Sequence, residues 1–387
     1  MTEQAGVPLA SLDLLRQITD RHVLDQLLAT PVMTRAEVAA RTGISKPTVS
    51  ESVRRLLDGG LIAEAGQQHS GRRGRAGVNY TLRDDVGVAL AVSAGPDGLV
   101  AETTDVRGAL LSRQETPTPS PVTAAELDPL LHGLVESAVR VAPAPVRAAA
   151  LSVAGPVDRL TGRLVHLPDS PFLVDELDPR GLLADVLEVD LIIDNDVNWA
   201  AVAEHHEGAA TDLDEFCYLY LGPGVGGAVV RGGVPVRGRS GLAGEPAHLI
   251  TTGPGGRARR LIACFDALDL LQPGSAAIDV GAVEHALAGA SAGGRRIRDA
   301  VVEAVAGAIA SMVALLDPGA VVVGGPWSRT ADFGERLASR VGELAVAPTQ
   351  VRLAGLDAGA PLRGARLAAV RAAQDSLLGP LAREIGS

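Results

Sequence analysis

The 387-residue chain is poor in cysteine and almost without lysine. Its two thiols, Cys217 and Cys264, cannot supply a metal cluster unaided. In a reducing compartment they are not expected to form a structural disulfide either. No run of about 20 uninterrupted apolar residues appears. The amino terminus, MTEQAG, is polar and lacks the pattern of a secretory signal. The expectation is a cytoplasmic protein with no membrane partner. Lysine occurs only at Lys46, and arginine replaces it everywhere else. Together with abundant Ala, Gly and Val, this points to genome bias more than to function. What the chain does have is apolar substance: 47% of its residues are hydrophobic, enough at this length for two or three domains with sizeable cores. Its net charge is −11.

Residues 34–64 organise the rest. TRAEVAARTGISKPTVSESVRRLLDGGLIAE reads as helix, tight turn, second helix and short strand. Val38 and Ala39 in the first helix, and Val49, Val53 and Leu56 in the second, recur at helical spacing and predict mutual packing. Gly43 falls where the turn needs glycine. Ser45 is an N-cap candidate, with Pro47 in the first turn, where a missing N–H costs little. On this reading Lys46, Thr48, Ser52 and Arg55 face away from the core. With Ser45 and Ser50 they form the candidate DNA-contacting set, short hydroxyls and cations that suit a helix lying in a major groove. An ordinary helical hairpin with a solvated polar face is the plainer alternative.

The following residues weigh against that alternative. Asp58-Gly59-Gly60 stops the helix, 61–64 is a short apolar strand, 67–77 (QQHSGRRGRAG) is polar and basic, and 79–82 returns as a strand. Strand, basic loop, strand is the wing of a winged helix. Arg72, Arg73 and Arg75 are interleaved with glycine, so the loop can follow a phosphate backbone or enter a minor groove. Residues 34–77 hold eight Lys and Arg against four Asp and Glu, a cationic patch on an acidic molecule. Double-stranded DNA is the partner this implies.

Ahead of this stretch, residues 1–20 read as a lead-in in which Leu12, Leu15 and Ile18 could form one helical turn, and 21–29 as the first helix, ended by Pro31. From Asp85 the pattern changes. Residues 87–95 and 99–111 resemble a β-hairpin, 116–122 a proline-rich loop, 124–141 a helix, 146–153 a strand and 181–187 a helix. Strand 191–193 ends in Asp194-Asn195-Asp196 ahead of a helix at 197–206. A polar cluster at the carboxyl end of a buried strand is where open α/β sheets place ligands. The grammar then repeats: strand 215–221, glycine-rich turn 222–227, strand 228–230, helix 301–316, strand 320–323, and helices 331–345 and 364–377. Twice-repeated hairpins followed by alternating strands and helices predict two α/β lobes with a cleft between them.

Several segments in this order resemble the ROK family of sugar kinases and repressors: GRRGR (71–75), SVAGPVD (152–158), DNDVNWAAVAE (194–204), LGPGVGGAVVRGGVPVRGRSGLAGEPAH (221–248) and LLDPGAVVVGG (315–325). The resemblance runs from about residue 12 to the carboxyl terminus. It implies an N-terminal winged helix-turn-helix (1–82) followed by a two-lobed actin/hexokinase-like α/β domain (83–387). It also implies that Asp196 stands at the family's catalytic base and Asn195 at a sugar-binding Asn. Glu245 and His248 fall on the sugar-contacting Glu and His, and Asp169 falls where the family usually has a sugar-binding Asn. Carboxylate, amide and imidazole groups suit a polyol. Asn or Asp before VNWAAVAE is equally a good N-cap, and the two roles can coexist.

The chain also departs from the family. Ser93 occupies the position of a phosphate-loop Asp, and Gly95-Pro96-Asp97 replaces Gly-Gly-Thr. Pro96 removes an N–H, and Asp97 puts a carboxylate where phosphate charge would sit. Pro223 stands where the family's enzymes usually have Thr. The cysteine-rich zinc loop is missing, for only Cys264 follows His248. The expectation is therefore a protein without cofactor, metal or enzymatic activity. It would be a DNA-binding transcriptional regulator, a repressor of carbohydrate-related genes, acting as a homodimer or homotetramer with a sugar or sugar derivative as effector. A sugar kinase with an added DNA-binding domain and a ligand-independent regulator are the alternatives.

Overall fold

The computed structural model describes residues 10–68, 77–165, 167, 170–173, 175–330 and 332–378. The described residues open with one continuous helix, α1 (Ala10–Ala29), so 10–20 is no separate lead-in turn. Then come β1 (Met33–Thr34), α2 (Arg35–Thr42), α3 (Lys46–Asp58), β2 (Ile62–Gln68) and β3 (Gly77–Leu82). The strands form a small antiparallel sheet in the order β1-β3-β2. Local chemistry fixes the helix ends. Thr34 and Glu37 make a reciprocal capping box at α2, Gly43 leaves that helix at φ +71°, and the Ser45 hydroxyl accepts from the Thr48 N–H at 3.3 Å.

The first lobe contains β4 (Val88–Gly95), β5 (Gly98–Asp105), β6 (Leu110–Thr116), α4 (Ala124–Val141), β7 (Val146–Val153), α5 (Pro179–Leu182) and β8 (Leu191–Asn195). The expected hairpin is thus a three-stranded meander, with the sheet ordered β6-β5-β4-β7-β8. Every residue of β4 but Ser93 and Gly95 is buried, because both sheet faces are covered. The helix expected at 181–187 stops at Leu182; Leu183 and Leu187 remain buried on turns, and the poor helix formers Asp185 and Val186 lie between them.

After α6 (Asp196–Glu207), the second lobe repeats the scheme. It contains β9 (Phe216–Leu221), β10 (Val225–Arg231), β11 (Val234–Pro235), β12 (Ile250–Thr252), β13 (Ala258–Arg260), α7 (Leu261–Asp266), α8 (Val280–Ala288), α9 (Ala292–Leu316), β14 (Ala320–Gly324), α10 (Phe333–Leu344) and β15 (Gln350–Leu353). Its sheet order, β11-β10-β9-β14-β15, matches that of the first lobe. Strand β10 starts inside the expected glycine turn, at Val225. Helix α9 is long and apolar enough in composition to cross a membrane. It forms the core of this lobe, with Val301, Val305, Ile309 and Val313 buried against Phe265, Val321 and Leu337.

The final helix, α11 (Ala360–Ser376), returns to the first lobe and lies on α6, β4 and β7. One apolar core contains Val23, Leu24 and Leu27 of α1, Val53 of α3, Ala89 and Ala150 of the sheet, Trp199 of α6, and Ala365, Ala369 and Ala373 of α11. The winged helix therefore shares its core with the first lobe. The opposite face of α6 (Val197, Ala200, Ala201, Ala203) packs on Phe216, Tyr218 and Ala228 of the second lobe. Over residues 197–204 the helix is buried or half-buried on every side, and only its last turn reaches solvent.

A Cβ placed on Gly364 of α11 would sit 1.9 Å from the Trp199 carbonyl oxygen, so the α6–α11 crossing admits only glycine. Gly364→Val is expected to destabilise the protein by about 2 kcal/mol or more. Gly342→Ala, on the exposed side of α10 with nothing within 4 Å of the added carbon, should gain about 0.5 to 1 kcal/mol. Urea unfolding of the two variants checks both signs.

Candidate functional site

Helix α3 presents Lys46, Thr48, Glu51 and Arg54 to solvent, with Ser45 exposed at its cap and Ser50 half-buried. Two expected members of this face are turned inward. Ser52 is fully buried and donates its hydroxyl to Asp20 at 2.5 Å. Arg55 is half-buried and doubly bonded to the same carboxylate, at 2.6 and 3.0 Å. The reason is α1: as a continuous helix it brings Asp20, itself 8% exposed, against α3. The periodicity held the signal, for Val49, Ser52, Val53 and Leu56 form one i, i+3, i+4, i+7 stripe. Arg54, absent from the sequence-based set, stands on the exposed face and pairs loosely with Glu51 at 3.2 Å. Strands β2 and β3 pair out to Gln68 and Gly77, the base of the expected wing. Arg72, Arg73 and Arg75 lie outside the described residues.

The second candidate site lies where β8 runs into α6. Asn195, 6% exposed, is the N-cap of α6; its side-chain oxygen accepts from the Val197 N–H at 2.9 Å. Capping uses only that oxygen. Asp196 follows, and its carboxylate also accepts from the Val197 N–H, at 2.8 Å. Behind the pair, Asp194 is 3% exposed and fully engaged. It accepts from the Asn195 N–H (2.9 Å), the Asn198 amide (2.7 Å) and Arg237 Nε (2.6 Å). Arg237 belongs to the segment that leads to Glu245, so this ion pair ties the floor of the site to its far wall. Gly241, at φ +79°, lies so close to Val157 that a Cβ would meet its carbonyl oxygen at 2.0 Å.

Asn195, Asp196, Glu245 and His248 line one cavity of about 140 Å³ between the lobes. Asp169 lies outside the described residues. Composition and spacing gave no sign of the less polar residues that share the lining, among them Pro96, Phe172, Tyr220, Pro223, Ile262 and Ala276. Burial pushes the Asp196 carboxyl up to about 7, against the opposing effect of the Val197 N–H. Burial, and then the nearby carboxylates of Asp196 and Asp97, raise the Tyr220 phenol above its usual value.

The residues present do not fit a nucleotide phosphate or a structural zinc ion. Neither Pro96 nor Pro223 has an N–H to offer, and the Pro223 carbonyl is taken by the Ile278 N–H at 2.7 Å. Gly325, at φ +96° with the Leu221 backbone 2.3 Å from its would-be Cβ, is accounted for by close packing. Cys264 is buried, its thiol pushed up by that burial, and it donates to the Arg260 carbonyl at 3.4 Å. Among the described residues no three His, Cys, Asp or Glu side chains converge to hold a metal.

These features define a class: a winged helix-turn-helix fused to a two-lobed, actin-like α/β domain with an interlobe cleft. The ROK family model matches residues 89–265, and the model described as winged helix-turn-helix DNA-binding matches 16–63. The chain carries a ROK-family domain behind a winged helix-turn-helix and is homologous to the ROK repressors. It is 26% identical to the xylose repressor of Bacillus subtilis over 246 residues, which cover 62% of each chain. It is 23% identical to the DNA-binding transcriptional dual regulator NagC of Escherichia coli over 255 residues, 64% of this chain and 61% of that one. The matches thus span under two thirds of the length of these relatives. Among solved structures, a ROK family transcriptional regulator, a homologue of the E. coli MLC protein, superposes with a TM-score of 0.67 at 18% identity, covering 94% of this chain and 98% of that one. The ROK hexokinase of Thermus thermophilus superposes at 0.60 with 28% identity, covering 74% of this chain and 99% of its own.

The Asp196 shift carries a sign. A carboxyl raised above its unfolded value, 3.8, favours the folded state at low pH and loses that contribution as pH rises toward its folded value, about 7. Asp196→Asn removes this dependence. The stability of the wild type relative to Asp196→Asn should therefore fall between pH 5 and pH 8. Denaturant unfolding of both proteins at the two pH values measures it, and a difference independent of pH would contradict the burial argument.

Proposed function

We propose that this protein is a cytoplasmic, sugar-responsive DNA-binding transcriptional repressor of carbohydrate-related genes. It acts as a dimer or a dimer of dimers on a two-fold operator. One observation carries the reading: the winged helix and the helix pair at the cleft share a single apolar core. Helix α6 begins at Asn195 and Asp196 and crosses α11 at Trp199 and Gly364. Near its end, α11 holds Arg21 of α1 through Asp375 at 2.7 Å. The residue before Arg21, Asp20, holds Arg55 and Ser52 of α3. A ligand that favours one arrangement of the lobes moves α6 and α11, and the winged helix moves with them. The coupling requires only differential affinity for two arrangements. The homology to xylose and N-acetylglucosamine repressors supports a carbohydrate as the signal.

Asn195, Asp196, Glu245 and His248, together with Asp169, are the proposed effector contacts. The proposed DNA contacts are Ser45, Lys46, Thr48, Ser50 and Arg54 on α3, with Arg72, Arg73 and Arg75 from the wing. The likeness to a hexokinase and the retained Asn195-Asp196 pair favour a kinase as the second reading. Pro96, Asp97 and Pro223 oppose it, and ATP turnover with a hexose panel separates the two.

Fluorescence anisotropy with DNA from upstream of the protein's own gene, at two salt concentrations and with a sugar panel, tests the repressor reading. Specific binding that one sugar abolishes is the expected outcome; absence of any specific DNA binding would overturn the proposal. Lys46→Ala should weaken binding and lower the salt slope by about 1, and Arg72, Arg73 and Arg75 replaced together by Ala should lower it further. Asp375→Ala should leave operator affinity largely intact and reduce the sugar response, because it loosens α11 from α1. An unchanged response would place the coupling elsewhere.

A further inference from the structure

A second cavity, about 630 Å³, lies beside the interlobe cleft and shares two chain segments with it. Ala154, Gly155 and Pro156 line the cleft, and the next residues, Val157, Asp158 and Arg159, line the second cavity. Likewise Asn195 and Asp196 line the cleft, and Ile193 and Asp194 just before them line the second cavity. The cavity runs along β8, the outermost strand of its sheet. Its volume falls in the range of roughly 300 to 1,000 Å³ that small-molecule sites occupy. Three arginines, Arg159, Arg180 and Arg237, and three aspartates, Asp158, Asp190 and Asp194, are in the lining. Two of the aspartates are already engaged. Asp194 accepts from Arg237 Nε, the Asn195 N–H and the Asn198 amide. Asp158 accepts the N–H groups of Thr161 and Leu160 and the Thr161 hydroxyl. The arginines have more left to offer. Among the described residues, nothing bonds the guanidinium of Arg159 or Arg180. Arg237 keeps Nη2 in reserve once Nε meets Asp194 and Nη1 meets the Pro235 carbonyl at 3.3 Å. Asp190 is the one carboxylate of the lining with no partner among the described residues. Leu183, Leu187 and Ile193 add apolar surface.

We propose that this cavity is a second ligand site, for a small organic anion with two charged groups, carboxylate or phosphate, on a short carbon skeleton. The charged groups meet the guanidinium forks of Arg159, Arg180 and Arg237, and the skeleton lies on Leu183, Leu187 and Ile193. A guanidinium fork takes carboxylate and phosphate oxygens in pairs, so two charged groups suit three forks. A protein of net charge −11 repels anions at long range, so an anion that binds here is held by these local groups. Arg237 extends the effect beyond the site. An anion that fixes its free amino group also steadies Asp194, and Asp194 holds the Asn195 N–H at 2.9 Å. Such binding needs neither a sugar in the cleft nor DNA.

Isothermal titration of the full chain at about 0.15 M salt tests it. Succinate and 2-oxoglutarate are the dicarboxylate probes, phosphoenolpyruvate and 3-phosphoglycerate the phosphate probes, and glycerol the neutral control. At least one anion should bind with a Kd below about 1 mM, and glycerol should not. Replacing Arg159 and Arg180 together with Ala should weaken that binding at least about ten-fold. Both side chains are exposed and bond no other described residue, so the variant should keep its fold, which circular dichroism checks. In the wild type, the bound anion should slow amide hydrogen exchange at residues 157–162 and 191–198. Failure of every anion to bind below about 1 mM overturns the proposal. So does binding that the double variant leaves unchanged, or protection confined to other segments. Binding that Asn195→Ala abolishes and the double variant does not would put the anion in the interlobe cleft, and overturns the second site while leaving the cleft reading intact.

Discussion

The contact between α6 and α11 is the constraint on which the rest of the molecule depends. Because Gly364 has no side chain, α11 lies directly on the backbone of α6 at Trp199. Trp199 is thereby buried, its indole N–H bonded to the Leu151 carbonyl at 3.1 Å. The two helices then serve three bodies at once. One face of α6 supports the second lobe, the first-lobe sheet rests on α11, and α1 of the winged helix closes over the same core. Dense packing is what makes such a unit respond as a whole, since side chains at interior density cannot shift singly.

Buried charge marks the places where this packing is tied to specific partners. Asp20 engages Ser52 and Arg55, Asp194 engages Arg237, and Glu102, 3% exposed, engages Arg113 and Arg366 at 2.7 and 3.1 Å. Glu204, fully buried at the far end of α6, accepts backbone N–H groups from Ala209, Gly355 and Leu356. A carboxylate left alone in such surroundings would be costly, so each of these contacts fixes a geometry more than it adds net stability. Two of them sit at the ends of one path: Asp194 behind the cleft and Asp20 behind α3.

The cleft gathers Asn195, Asp196, Glu245 and His248, and Pro96 and Pro223 in the same lining have no N–H to offer a phosphate. Asn195 and Asp196 stay in place because they also begin α6, so their loss would fray the helix that joins the lobes.

The sequence by itself determined most of the elements and their order, apart from β6 and the elements between Val234 and Ala288. A capping serine and a glycine stop placed α3 nearly residue by residue, the helix read at 124–141 matches α4, and the repeated strand grammar predicted two lobes. These are local properties, set by the backbone needs of a few neighbouring residues. Only the tertiary structure decided which polar residues face outward. Ser52 and Arg55 read as DNA contacts until α1, continuous from Ala10, brought Asp20 against them across more than thirty residues of chain. Likewise, Asn195, Asp196, Glu245 and His248 were legible through motif resemblance, but the residues that share the cavity with them were not. Pro96, Tyr220 and Ala276 come from three distant segments, and no periodicity within a segment records what another will bring to the same cavity.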